Sequence, residues 1–279
     1  MWFIEILKAI FLGIVEGITE WLPVSSTGHM ILVDEFIKLD VSDDFKEMFL
    51  IVIQLGAILA VPILFFHKLN PFTKKKSDAE RRATLSLWAK VIVGAIPAAV
   101  IGLLFDDIFE EYLYTPPVIA IALAVYGVAF IAVERYKIKR GNTFRVNDVS
   151  ELTYKDALII GAYQVLSLVP GTSRSGSTIL GGMLSGVSRV ASAEFSFFMA
   201  IPIMLGASMY KILKFIVKGV SVSGFEIALL LVGIAVAFLV SLAIIKFLMD
   251  FVKRHSFSAF GIYRIVLGAV VLIYFLIKA

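Results

Sequence analysis

The chain has no cysteine in its 279 residues, which excludes disulfides and thiolate-bound metal centres. Charge is scarce too. Asp, Glu, Lys and Arg make up 17% of the chain, against about 25% in ordinary soluble domains. That leaves too little polar surface to coat a water-soluble globule of this length. The balance is apolar: 59% of residues are hydrophobic and the mean hydropathy is +0.93. Lipid is therefore the expected solvent. This argues against a nucleic-acid partner, even though 26 Lys and Arg against 22 Asp and Glu leave a net charge of +4. The surplus cations belong where the chain meets membrane surfaces.

A membrane-crossing helix needs about 20 largely apolar residues. Runs of this kind occur at 48–66, 91–105, 117–134, 193–213, 226–249 and 260–277. The stretch Met1 to Val15 is apolar but lacks the basic start and small-residue cleavage site of a signal peptide, so it is expected to be a retained membrane helix. Three connections are basic: Lys68, Lys74, Lys75, Lys76, Arg81 and Arg82; Arg135, Lys137, Lys139, Arg140 and Arg145; and Lys253 with Arg254. The positive-inside bias makes these cytoplasmic. Two others are acidic and belong on the opposite side: Asp34, Glu35, Asp40, Asp43 and Asp44, then Asp106, Asp107, Glu110 and Glu111. Lys211, Lys214 and Lys218 run against that pattern. Trp2, Tyr112, Tyr114 and Tyr210 lie near span ends as interfacial anchors, and Pro62, Pro97 and Pro202 are expected as kinks.

Two segments do not behave as simple spans. Residues 13–32 and 161–180 each place a polar, proline-broken middle between apolar arms. Shifted by 148 positions, Gly13 meets Gly161, Glu16 meets Gln164, Ser25 meets Ser173 and Gly28 meets Gly176. Charge and hydroxyl groups at membrane depth are costly unless they line a protected polar cavity. The first segment leads into an acidic connection and the second follows a basic one, so they are expected to enter from opposite faces. The expected fold is an all-α polytopic integral membrane protein with one transmembrane domain, 1–279. It is built from two inverted-topology repeats, about 1–150 and 151–279, each holding a re-entrant helix–loop–helix hairpin, with the tips meeting near the midplane.

The tips carry the chemistry. Glu16 and Glu20 are one helical turn apart, an arrangement that invites a shared proton or a divalent cation; a solvated interfacial face is the alternative. In Val24-Ser-Ser-Thr-Gly-His29, Ser25 and Thr27 serve either to cap the following helix or to donate to an anion. Ser26 beside His29 has the makings of a nucleophile and its base, though a histidine next to an apolar run is commonly structural. Pro170-Gly-Thr-Ser-Arg-Ser-Gly-Ser-Thr178 combines glycines, hydroxyls and a planar cation, Arg174, ahead of a helix start, which makes an anion cradle. Other polar residues read as structural. His67 and His255 sit in basic loops, Glu134 pairs at an interface with Arg135, Glu194 lies at the start of a span, Asp156 starts a helix, and Gln54, within a span, is either a supporting donor to the site or a helix-packing residue.

The strings Glu16-Gly-Ile-Thr-Glu20 through His29 and Pro170 through Thr178 resemble the two signatures, (E/Q)xxxE and PGxSRSxxT, of the undecaprenyl-pyrophosphate phosphatase, or bacitracin-resistance, family. The resemblance covers the whole chain in length and hydropathy. It implies a multi-pass enzyme of the bacterial plasma membrane with its site open to the extracytoplasmic side. The activity implied is phosphoric anhydride hydrolysis, taking C55 isoprenyl diphosphate to the monophosphate carrier of peptidoglycan synthesis. Carried over by position, Glu16, Glu20, Ser26 and His29 are catalytic. Ser173, Arg174, Ser175 and Thr178, with Ser25 and Thr27, hold the diphosphate. Glu16 and Glu20 anchor a divalent cation, Mg²⁺ or Ca²⁺. The expected mechanism has Ser26, activated by His29, attack the terminal phosphorus; its rival is attack by metal-activated water. The expected partners are the lipid substrate and the bilayer, with a homodimer left open. The alternative function is a transporter or polyprenyl-phosphate flippase, since inverted repeats with broken helices also suit transport.

Overall fold

The computed structural model describes residues 2–141 and 143–278, except that the side chains of Asp106, Asp107 and Glu110, three of the expected acidic residues, lie outside the described residues. Among the described residues eleven α-helices follow in order: α1 (Trp2–Thr19), α2 (Ser26–Phe36), α3 (Asp43–Leu64), α4 (Phe66–Leu69), α5 (Asp78–Leu113), α6 (Pro116–Lys139), α7 (Tyr154–Val165), α8 (Arg174–Leu184), α9 (Arg189–Val217), α10 (Gly224–Arg254) and α11 (Ser258–Lys278). Among the described residues there is no strand, only one isolated bridge between Val146 and Val187. Among the described residues six helices, α3, α5, α6, α9, α10 and α11, are long and apolar enough to cross a membrane. They contain five of the six apolar runs of the sequence and all but the last two residues of the sixth, 48–66, so the chain is an all-α, multi-pass membrane protein.

The first of the shorter runs is extended at its N-terminus. The helix containing 91–105 begins at Asp78, where Ser77 and Glu80 form a reciprocal capping box. Its acidic residues at 106–111 lie in the last turns of α5, not in a connection. Pro62, Pro97 and Pro202 fall inside α3, α5 and α9. The lysines that run against the charge pattern meet acids from the start of α3: Lys218 donates to Asp44 at 2.6 Å, and Lys211 pairs with Glu47. Pairing removes much of the local excess charge that the sequence pattern alone displays.

Among the described residues four helices are short, and α4 is a single turn of four residues. α2, α7 and α8 have 11, 12 and 11 residues. At 1.5 Å per residue each reaches only about 16–18 Å, roughly half a hydrocarbon core. α1 packs against α10, and α7 against α5. Glycines let these helices touch. A Cβ added at Gly13 would stand 2.8 Å from the Gly233 carbonyl oxygen, and one at Gly161 would collide with the Gly94 carbonyl. Close backbone approach through small residues is how helices associate where lipid supplies no hydrophobic drive.

Buried ion pairs hold the basic end. Glu134 is fully buried, and it does not pair with Arg135 at an interface as the sequence order indicates. Arg189 grips it with Nε at 2.8 Å and Nη2 at 2.5 Å, and the Phe257 amide donates to it at 2.8 Å. A carboxylate at that depth needs a bidentate partner more than a sequence neighbour. Glu194 accepts from Lys68 at 2.7 Å, and Asp156 completes a capping box with Thr153. His67 and His255 are exposed.

Candidate active site

The two hairpins turn in the same way. Ser25 precedes α2 and Ser173 precedes α8, with φ of +75° and +73°. Among the described residues these are the two non-glycine positions with positive φ. Each hydroxyl accepts from the amide three residues on, Gly28 at 3.2 Å and Gly176 at 3.1 Å. A left-handed backbone at a serine costs on the order of 1–3 kcal/mol and persists where the surroundings enforce it, commonly at functional sites. Gly171 has φ +89°, and a Cβ there would stand 2.6 Å from the Ile119 carbonyl oxygen, so the second tip accepts only glycine at that point.

With both turns set, the first residues of α2 and α8 are Ser26 and Arg174, and Glu20 joins them. Its Oε2 accepts from the Ser26 hydroxyl at 2.9 Å, and its Oε1 accepts from Arg174 Nη2 at 3.0 Å. Both partners of that ion pair are about one-tenth exposed. Arg174 also donates through Nη1 to the Ser196 carbonyl at 2.7 Å and lies 5.6 Å over the Trp21 ring. Glu16, one turn before Glu20, is buried, lies within electrostatic reach of Glu20 and Arg174, and has an oxygen without a protein partner. A cavity of about 450 Å³ opens beside this group. Glu16, Ser26 and Thr27 line it, with Asp34, Asp43 and Lys46 of the acidic face. The first free amides of α2 add donors and a positive dipole end at Ser26.

Other expected residues sit elsewhere. His29 does not hydrogen-bond Ser26; its Nδ1 bonds the Ser25 carbonyl at 2.7 Å and its Nε2 the Tyr263 hydroxyl at 2.6 Å. The imidazole stacks on Tyr263 and lines a second, largely apolar cavity with Phe247, Phe251 and Phe260. The group that accepts from Ser26 is therefore Glu20, which corrects the Ser26–His29 pairing. Helical spacing put the two side chains near one another, but the loop-side carboxylate is closer. Ser175 and Thr178 are fully buried. Ser175 donates to the Glu20 or Leu22 carbonyl at 3.2–3.3 Å, and Thr178 to Ser196 Oγ at 2.6 Å. Their hydroxyls fasten one hairpin to the other and to α9. Ser25 and Ser173 are caps, one of the two readings left open for Ser25.

Sequence reasoning passed over Trp21, Ser196 and Arg264. Arg264 left a signal, an ionisable residue inside an apolar run; Trp21 and Ser196 left none. Arg264 is fully buried on α11 and donates to carbonyls of both hairpin tips.

Among the described residues no three His, Cys, Asp or Glu side chains cluster as metal ligands. Glu16 and Glu20, one turn apart, offer two carboxylates, and the unpartnered Glu16 oxygen is buried. That donor set fits Mg²⁺, which typically takes one or two carboxylates and completes its shell with water and substrate phosphates. The arrangement as a whole joins a hydroxyl held by a carboxylate, a desolvated guanidinium and a helix N-terminus, all inside a membrane protein. It can bind a phosphate group and present a hydroxyl to it.

Comparison with known proteins covers nearly the whole chain. An undecaprenyl-diphosphatase of Enterococcus faecalis is 58% identical over 273 residues, 97% of each chain. Undecaprenyl-diphosphatase 1 of Clostridioides difficile is 57% identical, over 98% of this chain and 97% of its own. An undecaprenyl-diphosphatase of Desulfitobacterium hafniense is 55% identical, over 98% and 96%. The family profile described as bacitracin resistance protein BacA matches residues 9–270, and both hairpins and all six long helices fall within or overlap that match, so the chain belongs to the BacA bacitracin-resistance family.

Proposed function

We propose that the chain is an undecaprenyl-diphosphate phosphatase, a membrane-embedded hydrolase that cleaves the phosphoric anhydride of C55 isoprenyl diphosphate and returns the monophosphate carrier to cell-wall synthesis. The observation that carries this reading is the Ser26–Glu20–Arg174 contact, with Glu20 bonded to a hydroxyl on one side and a guanidinium on the other. A transporter needs groups that bind a headgroup; it has no use for a hydroxyl aligned on a carboxylate.

The terminal phosphate lies against Arg174 and the N-terminus of α2. Ser26 Oγ attacks phosphorus and its proton passes to Glu20 Oε2, 2.9 Å away. The bond from phosphorus to the bridging oxygen breaks, and the isoprenyl monophosphate leaves with that oxygen. Water then cleaves the phosphoserine and releases inorganic phosphate. Arg174 pairs with the phosphate oxygens where charge accumulates, in a site from which water is largely excluded. Glu16 and Glu20 would hold a divalent cation, Mg²⁺ by their donor chemistry, which would neutralise phosphate charge when bound.

The short α2, α7 and α8 support re-entrant hairpins in two inverted repeats, since none is long enough to cross. The acidic lining of the main cavity supports a site open to the extracytoplasmic side of the plasma membrane. Removing a C55 tail from the bilayer costs about 0.8 kcal/mol per CH₂, so the lipid enters sideways and brings only its headgroup to the tips. The test is phosphate release from a C15 or C55 isoprenyl diphosphate in detergent, with and without EDTA. Activity independent of divalent cations sinks the metal assignment, and absence of phosphate release sinks the phosphatase reading.

A further inference from the structure

The geometry points to Arg264 as the positioning residue that sets the spacing between the two hairpin tips. Its guanidinium has no exposed surface and, among the described residues, no carboxylate within ion-pair distance. A charge buried without a counter-ion is costly, and an apolar residue of the same size would avoid that cost. Its partners explain its presence. Nη1 donates to the Pro23 carbonyl at 3.1 Å, in the first tip, and Nη2 donates to the Gly171 and Thr172 carbonyls at 2.8 and 2.9 Å, in the second. Nε points at the Leu123 carbonyl of α6 at 3.4 Å, and the group lies 5.4 Å over the Tyr126 ring.

One arm therefore holds each tip. The two terminal nitrogens belong to one rigid plane, so the separation of the carbonyls they grip is fixed by covalent geometry rather than by packing. Pro23 lies just before Ser26 in the chain, and Thr172 just before Arg174. Fixing those carbonyls fixes the distance across which Ser26 and Arg174 meet at Glu20. A lysine retains the charge but offers a single flexible donor site, which cannot hold two tips in register. Arg264 touches none of the reacting groups; it acts through the tips.

The kinetic arm of the test rests on the phosphatase reading, and the exchange arm does not. Hydrogen–deuterium exchange of the parent chain in lipid nanodiscs is expected to show amides of 20–28 and 170–178 protected as strongly as the long helices; free exchange there overturns the proposal without any variant. In Arg264→Lys those two segments are expected to exchange at least tenfold faster while α3, α9 and α10 are unchanged. For the same variant, kcat on isoprenyl diphosphate falls about 100-fold with KM within about threefold, and Arg264→Gln does no better. A parent-like kcat in Arg264→Lys, or an exchange increase spread evenly over the helices, overturns the positioning role. If the exchange arm holds and no phosphate is released by the parent chain, it is the phosphatase reading that has failed.

Discussion

The two hairpins share a backbone and differ in chemistry. Ser25 and Ser173 adopt nearly the same positive φ and cap their helices on Gly28 and Gly176, yet the first tip carries Glu16, Glu20, Ser26 and His29 where the second carries Gln164, Leu168, Arg174 and Ser177. Glu16 and Gln164 show the contrast most clearly. Both are buried, and both have side-chain atoms without a protein partner, but only the first is a carboxylate. The same loop was thus used twice, once to present acids and a hydroxyl and once to present a guanidinium. The site exists only where the two kinds of tip face one another. Catalysis by such an assembly depends on the difference between the tips, and stability depends on their sameness.

The comparison can be broken from the reactive side first. Ser26→Ala is expected to lower kcat by about 10³-fold or more with KM little changed, because the nucleophile is lost and binding is kept; labelled phosphate trapped on Ser26 by rapid quench checks the same step. If Ser26→Ala retains most of its activity, the covalent route is wrong and the hydroxyl only donates to a substrate attacked by water. On the other tip, Arg174→Ala is expected to cost about 10²–10³-fold in kcat/KM. Arg174→Lys should restore only part of that, since a point charge cannot fork onto two oxygens. Glu16→Gln copies the second tip onto the first. It should raise the Mg²⁺ concentration needed for half-maximal phosphate release by about tenfold or more, whereas the mirror change, Gln164→Glu, should leave that requirement unaltered. The smallest effects concern what the tips share. Ser25→Ala and Ser173→Ala are each expected to lower stability by about 1–2 kcal/mol through loss of a cap at a left-handed position. The corresponding glycine variants should stay within about 1 kcal/mol of the parent, as read from thermal unfolding in detergent. Unequal losses at the two serines would show that the hairpins are not the same device.

Much of this was legible in the chain. The apolar runs gave six long helices because the need to satisfy every backbone group inside lipid leaves no other regular option. The shift that aligns residues 13–32 with 161–180 found both turns, and the polar residues at their centres identified the groups that meet. Glu20 and Arg174 are 154 residues apart in the chain and 3.0 Å apart in space, as two facing tips require. The choice of base was not legible. Ser26 and His29 are neighbours on a helix, and nothing in their spacing says that Glu20 comes nearer or that Tyr263 claims the imidazole. Arg189 as the partner of Glu134 was equally hidden, since buried charges choose partners by geometry across the fold.

What the sequence determined by itself was the membrane setting, the number and order of long helices, and the two polar turns, because each follows from local periodicity and from the cost of polar groups in lipid. What only the tertiary structure decided was which side chains touch: Glu20 with Ser26, Arg264 with both tips, and Ser175 and Thr178 as internal fasteners. Contacts across many residues of chain depend on how helices pass one another, and that is set by close glycine contacts and buried hydrogen bonds that leave no periodic trace.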